Sequence, residues 1–481
     1  MPRYRNGTCV RASTMYILVR SARLLPLALV LVSSPRMPAG AQVRPATRLS
    51  VPVEYYKLPN GLRVVLARDT TAPTVGVGVY YRVGFRTEPR DRTGFAHMFE
   101  HLMFQGSKNL GKLQFVKLVE NNGGFLNGST RFDFTNYYAV MPAHTLETVL
   151  WAEADRMRGL VIDKVNLENQ RDVVKNEVRV NVKNQPYGSF PWIDLPMTAN
   201  TNWANAHDFY GGFADLDAAT LENASAFFKT YYAPNNAVLA VVGDFAPGQA
   251  RAWITKYFAP IPRSAPPPLV DVSEPRQTAE RRASRVDSLA NRPALGLAYH
   301  VPPRWTPQWF AFGLIDQILG QGRDSRLFDR LVQQRSLTGD VSAGINAFLG
   351  NQFNYSGPML WLVSVFHDAD KPAATLLAAI DSEIDLLRSR LIDAATLTRA
   401  RTKMRSALYG IVDSESGIGK LDLLASFALF DDAPARINQL EAGFAAVTPA
   451  LVQSTAREFL RPENRTVYTI VAGAKAPAGG R

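Results

Sequence analysis

His97-Met-Phe-Glu100-His101 sets two imidazoles four residues apart with a carboxyl next to the second. On a helix each residue turns about 100°, so with His97 at zero His101 falls near +40° and Glu100 near −60°. All three then project from one face. Two imidazoles one turn apart can hold the same metal ion, and the carboxyl beside them need not be a ligand. Thr93 is a candidate N-cap and Gly106 a candidate stop, which predicts a helix over residues 93–105. The chain has six His in 481 residues. The other four, His144, His207, His300 and His367, are isolated, and no role is assigned to them.

A catalytic zinc takes three protein ligands and keeps a fourth position for water. The candidate third ligand is Glu177, in Gln170-Arg-Asp-Val-Val-Lys-Asn-Glu177, a segment with helical spacing. It follows His101 by 76 residues.

With these residues in view the chain resembles the pitrilysin, insulysin and mitochondrial-processing-peptidase family of inverted-motif (H-x-x-E-H) zinc metallopeptidases, in its short bacterial periplasmic form. Further landmarks carry the likeness across most of residues 50–262. They are Val83-Gly-Phe-Arg-Thr-Glu88 and Gly94-Phe-Ala-His97 before the motif and Phe104-Gln-Gly-Ser107 after it. Gly123-Gly124, Asn127, Thr130, Asp133, Thr135 and Tyr137 follow, then Glu153-Ala-Asp-Arg-Met157 and Pro234-Asn-Asn236 continuing to Gly243-Asp244.

The resemblance implies that His97, His101 and Glu177 bind Zn²⁺ and that Glu100 is the general base. It implies that Asn127 and the strand around it hold the substrate backbone as an added β-strand. The function it implies is endopeptidase action on peptides or unfolded polypeptide segments. The alternative is a non-catalytic or partner-dependent subunit of a heterodimeric peptidase. A third reading is a metal-assisted hydrolase of non-peptide substrates.

Two positions depart from the family pattern. A second glutamate usually stands seven residues before the ligand glutamate and supports a ligand histidine. Here it is Gln170, which can accept a hydrogen bond but brings no charge, so its tuning of the ligand should be weaker. In the C-terminal half, the family's Arg and Tyr that contact the substrate near the scissile carbonyl align with Val332 and Gly339. Neither can donate to a developing oxyanion. Arg335 or Arg326 replaces them under a different register.

Residues 1–41 hold six Arg, no acidic residue, the apolar run Leu24–Val32 and an Ala39-Gly-Ala41 site, and so read as a secretory signal peptide cut after Ala41. The run is too short for a stable membrane anchor. Met15 is an alternative start, and an Arg-rich transit peptide is the rival reading, disfavoured by a continuous rather than amphipathic apolar stretch. A periplasmic or secreted location follows. Cleavage would remove the one Cys, Cys9, and would halve the formal net charge from +12 to +6. No basic stripe with interleaved aromatics points to nucleic acid.

The mature length exceeds one comfortable core. A Pro-rich stretch at 263–285 reads as a linker between an N-terminal zinc-binding peptidase domain (50–262) and a C-terminal domain without metal ligands (286–475). An internal echo supports duplication. Thr220 to Asn236 and the strand after it recur at an offset of 228, as Thr448 to Asn464 and another apolar strand. The counterpart of the motif helix, Phe310 to Leu319, has no His. Two unrelated α/β domains sharing a turn remain the alternative. The expected fold is α+β: two homologous α/β sandwich domains, each a mixed, largely antiparallel sheet with helices on one face, together forming half of a clamshell. A dimer is expected, and the missing donors favour a heterodimer with a similar subunit that lacks the metal motif.

Overall fold

Runs of β-branched residues set the first sheet. The strands are β1 (Glu54–Lys57), β2 (Arg63–Arg68), β3 (Thr74–Tyr81), β4 (Phe125–Thr130), β5 (Thr135–Pro142) and β6 (Ala237–Gly243), in the order β1-β2-β6-β3-β5-β4. A second sheet holds β7 (Arg281–Asp287), β8 (Ala294–His300), β9 (Ser342–Ile345), β10 (Leu360–Phe366) and β11 (Arg465–Ala472), in the order β7-β11-β8-β10-β9. The only parallel pairs in these two sheets are β2–β6 and β7–β11, so both are mixed and largely antiparallel. The computed structural model describes residues 48–414 and 417–473, and the stretch read as a signal peptide, with Cys9, lies outside them.

The two sheets repeat one pattern. Thr220 caps the Leu221–Tyr231 helix through Asn223 N, and Thr448 caps the Pro449–Phe459 helix through Leu451 N. The Asn236 amide donates to the carbonyls of Tyr231 (2.8 Å) and Arg82 (3.3 Å). The Asn464 amide donates to those of Phe459 (2.7 Å) and His300 (3.0 Å). Regular structure resumes at β7, so the last residues of the stretch read as linker form a strand.

Alternation along the strands sends side chains to two different cores. Val64, Leu66, Val75, Val77 and Val79 pack with the Phe95–Leu102 and Leu146–Arg158 helices of the same half. Val65, Ala67, Val238 and Ala240 face the other way, into a core shared with Leu421 and Leu424 of the Ile418–Asp431 helix. A helix of the second half therefore covers the back of the first sheet. The second sheet is covered in return by Phe190, Leu195 and Ala199 of the first half. Helices thus lie on both faces of each sheet, because each half lends an element to the other. From Leu49 onward the chain forms one compact unit.

Candidate metal centre

The motif helix runs Phe95–Leu102, shorter than the sequence predicts. Thr93 does not cap it. The N-cap is Gly94 at φ 84°, and no side chain bonds from that position. The Thr93 hydroxyl instead donates to Asp215 and accepts from Gly212 N at 2.9 Å. Two N–H groups at the helix start go to Glu88, whose carboxylate accepts from Gly94 N (2.8 Å) and Ala96 N. Burial pushes the Glu88 carboxyl up to about 8; the two backbone N–H bonds oppose that shift and Asp215 adds to it. After the helix the chain is tied to Asp155, which accepts from Ser107 Oγ (2.6 Å) and Asn109 N (2.9 Å). Asp155 lies on the Leu146–Arg158 helix, beside the buried Glu153–Arg156 pair.

A second helix, Lys164–Val178, starts where Asp163 accepts from Asn166 N at 2.8 Å and packs along the motif helix. It carries Glu177 one residue before its end. The carboxylate meets both imidazoles: Glu177 Oε1 lies 3.7 Å from His97 Nε2, and Oε2 lies 3.2 Å from His101 Nε2. The two Nε2 atoms are 3.4 Å apart. One ligand atom from each residue can be chosen so that all three lie within 4.8 Å of one another. Two imidazole nitrogens and one carboxylate oxygen, at such separations around a common point, make a donor set that fits a zinc ion. Burial, reinforced by His101, holds the His97 imidazole down to about 4, so it is neutral at physiological pH and no proton blocks coordination. The hydrogen bond with His101 holds the Glu177 carboxyl low, against the opposing effect of burial.

Glu100 lies beside this cluster and accepts from Thr130 Oγ1 at 2.8 Å. Burial raises its pKa, with the Thr130 hydrogen bond and His101 opposing the rise. Thr130 ends β4, an edge strand of the sheet. β4 passes so close to Glu100 that a Cβ on Gly128 would stand 3.3 Å from the Glu100 Cγ. Asn127 is exposed on this strand, and its amide oxygen accepts from Gly128 N at 2.9 Å. Next to β4 opens a polar cleft of about 520 Å³, with Asn127, Ser129 and Arg131 on one wall and Asn351, Asn354 and Asp422 on the other.

Gln170 is buried two turns before Glu177, and the Nδ1 of His97 is buried without a hydrogen-bond partner, so no bond joins them. Val332 packs against the hydrophobic core, and a side chain at Gly339 would meet open space. Sequence reasoning named Thr130 and Glu88 as landmarks without their contacts. It missed Tyr210, whose ring stands 5.0 Å from that of His97 at 66°. Tyr210 sits in an irregular loop, where no periodicity marks it.

A model of the insulinase family, peptidase family M16, matches residues 63–198, and a model described as the peptidase M16 inactive domain matches residues 218–404. The chain belongs to peptidase family M16. The zinc protease PqqE of Helicobacter pylori is 28% identical over 373 residues, which is 76% of this chain and 82% of that one. The crystal structure of a protease from Helicobacter pylori superposes with a TM-score of 0.81 at 24% identity, covering 88% of this chain and all of that one. The periplasmic protease PqqL of Escherichia coli superposes with a TM-score of 0.72 at 18% identity, over 88% of this chain but only 48% of that one.

Proposed function

We propose that this chain is a zinc-dependent endopeptidase acting on peptides or unfolded polypeptide segments, with His97, His101 and Glu177 as metal ligands. The observation that carries this reading is the convergence of those three side chains beside Glu100, a half-buried carboxyl steadied by Thr130. A zinc ion held there would lower the pKa of a water toward about 7 and polarise a carbonyl. Glu100 takes a proton from the attacking water and later delivers it to the departing amine. Burial favours its protonated form and so makes it a stronger base than an exposed carboxylate once it has lost its proton.

The substrate enters as an extended strand on the free edge of β4. Backbone pairing along an edge binds chain direction and extension with little demand on sequence. The strand's closeness to Glu100 at Gly128 would bring a paired peptide bond within reach of the metal centre. With the signal peptide read from residues 1–41, the protein works in the periplasm or outside the cell.

A second reading, a subunit active only with a partner, is favoured by Val332 and Gly339, which bring no donor where the family has an Arg and a Tyr. The test is zinc content and peptide cleavage of the wild type and Glu100→Gln. The variant keeps its zinc and loses cleavage by about 10²- to 10⁴-fold. Undiminished cleavage would remove Glu100 as the base. A wild type that binds zinc but cuts peptides only after a second chain is added would establish the subunit reading.

A further inference from the structure

We infer that Tyr210 is a catalytic residue of this chain, its phenolic hydroxyl donating a hydrogen bond to the carbonyl oxygen of the bond being cut, a role that rests on the peptidase reading above. Hydrolysis at this centre builds negative charge on that oxygen, and a preorganised donor there is worth a large factor in rate. Val332 and Gly339 offer none, so a side-chain donor that assists the metal at that oxygen would come from elsewhere. Tyr210 is the candidate supplied by the metal-bearing half itself.

Four observations place it. Its ring packs across the His97 imidazole, 5.0 Å between centroids. Its backbone is pinned to the start of the motif helix. A Cβ on Gly211 would stand 2.2 Å from Gly94 N, a Cβ on Gly94 would stand 2.6 Å from the Tyr210 carbonyl oxygen, and both glycines have positive φ, so only glycine permits this approach. Trp192 (5.6 Å) and Phe209 (5.1 Å) close on the ring edgewise and leave it little freedom. Among the described residues the hydroxyl has no hydrogen-bond partner, although the residue is half-buried and lies close enough to both Glu177 and Glu100 to feel their charges.

The step balances as a hydrolysis. Water oxygen bonds to the carbonyl carbon as Glu100 takes a water proton, and the carbonyl π pair moves onto its oxygen. That oxygen accepts from the Tyr210 O–H, and the phenolic proton stays on tyrosine. The carbonyl then re-forms, the C–N bond breaks with its electron pair going to nitrogen, and nitrogen takes the proton held by Glu100.

Tyr210→Phe keeps the ring and its packing and removes only the hydroxyl. In the full-length zinc-loaded protein, kcat on a fluorogenic peptide should fall by about 10²-fold with KM, zinc content and melting temperature unchanged. A phosphinic peptide, whose tetrahedral oxygens mimic the charged carbonyl, should bind more weakly by a similar factor. Peptide binding to the inactive Glu100→Gln background should not respond to Tyr210→Phe. An unchanged kcat in Tyr210→Phe overturns the proposal while leaving the peptidase reading intact, and so does a loss that tracks lost zinc. A wild type that cuts no peptide, alone or with a partner, overturns both.

Discussion

At the start of the motif helix a carboxylate from six residues upstream takes the place of a side-chain cap. Glu88 sits where the helix dipole favours an anion, and two backbone N–H groups point at it. Burial still dominates and holds its pKa up to about 8, far above the usual carboxyl range. For an acid whose folded pKa is raised, the stabilising contribution is fully present below its unfolded value near 4.5 and is lost as pH rises through the folded value. Glu88→Gln removes this linkage. The stability of the wild type relative to Glu88→Gln should therefore decline from pH 5 to pH 8, as read from melting temperatures at fixed zinc loading. Parallel curves for the two proteins across that range would show that the carboxylate is not charged at a cost there. The same residues show how far a sequence can be read at this scale. His97, Glu100 and His101 stand out because a helical period ties them together, and Glu177 because the family resemblance implies a ligand glutamate at that distance. The Glu88 cap and the Thr130 hydroxyl on Glu100 are contacts between segments, which no local pattern encodes. Gln170 gives a further test. The His97 Nδ1 is buried without an acceptor, and Gln170→Glu returns to the family's carboxylate on that helix. Chelator competition should then show tighter zinc retention, by about tenfold if the carboxylate reaches the ligand histidine. Unchanged retention would mean that position 170 does not communicate with the metal.

At the scale of elements, the repeat extends to the residues that let the two halves interlock. Gly78 on β3 pairs with Ala240, and Gly296 on β8 pairs with Tyr468, so the two glycines hold equivalent places. Each leaves room for a side chain of the other half. A Cβ on Gly78 would stand 2.6 Å from Leu421 Cδ2, and one on Gly296 would stand 2.8 Å from Leu195 Cδ1. Leu421 and Leu195 are fully buried in these reciprocal contacts. Leu421→Ala should cost about 2–5 kcal/mol, the range for a buried leucine that leaves a cavity, and Leu195→Ala a similar amount. Chemical denaturation should show one transition in both variants, because each leucine belongs to both halves. Separate unfolding of the halves in Leu421→Ala would contradict this coupling. The offset of 228 was legible from the sequence. The exchange was not. Apolar spacing says that the Ile418–Asp431 helix is buried, but not which sheet buries it.

For the whole molecule, charged ties add to the shared core. Buried Arg86 pairs with Asp133 at 3.2 Å and donates to the Pro358 carbonyl, while Asp133 accepts from Ser356 N at 2.8 Å. Tyr80 donates to Asp422 at 3.1 Å across the same divide. The two halves thus hold each other through a shared core, a buried ion pair and hydrogen bonds that cross between them. Under the proposed function, closure over a substrate would come from another chain. The proposed partner is a similar chain without the metal motif that would carry the Arg and Tyr donors missing at Val332 and Gly339. In sedimentation, the purified chain mixed with such a partner should form a one-to-one complex. Its kcat should exceed that of the chain alone by about 10²- to 10³-fold, the worth of restored donors at the reacting carbonyl. Tyr210→Phe should lower the rate of the complex and of the isolated chain by the same factor, because its donor belongs to the metal-bearing half. If the chain alone forms a homodimer that cuts peptides at the rate of the mixture, the missing Arg and Tyr are not needed. Tyr210 would then be the donor on which the oxyanion depends.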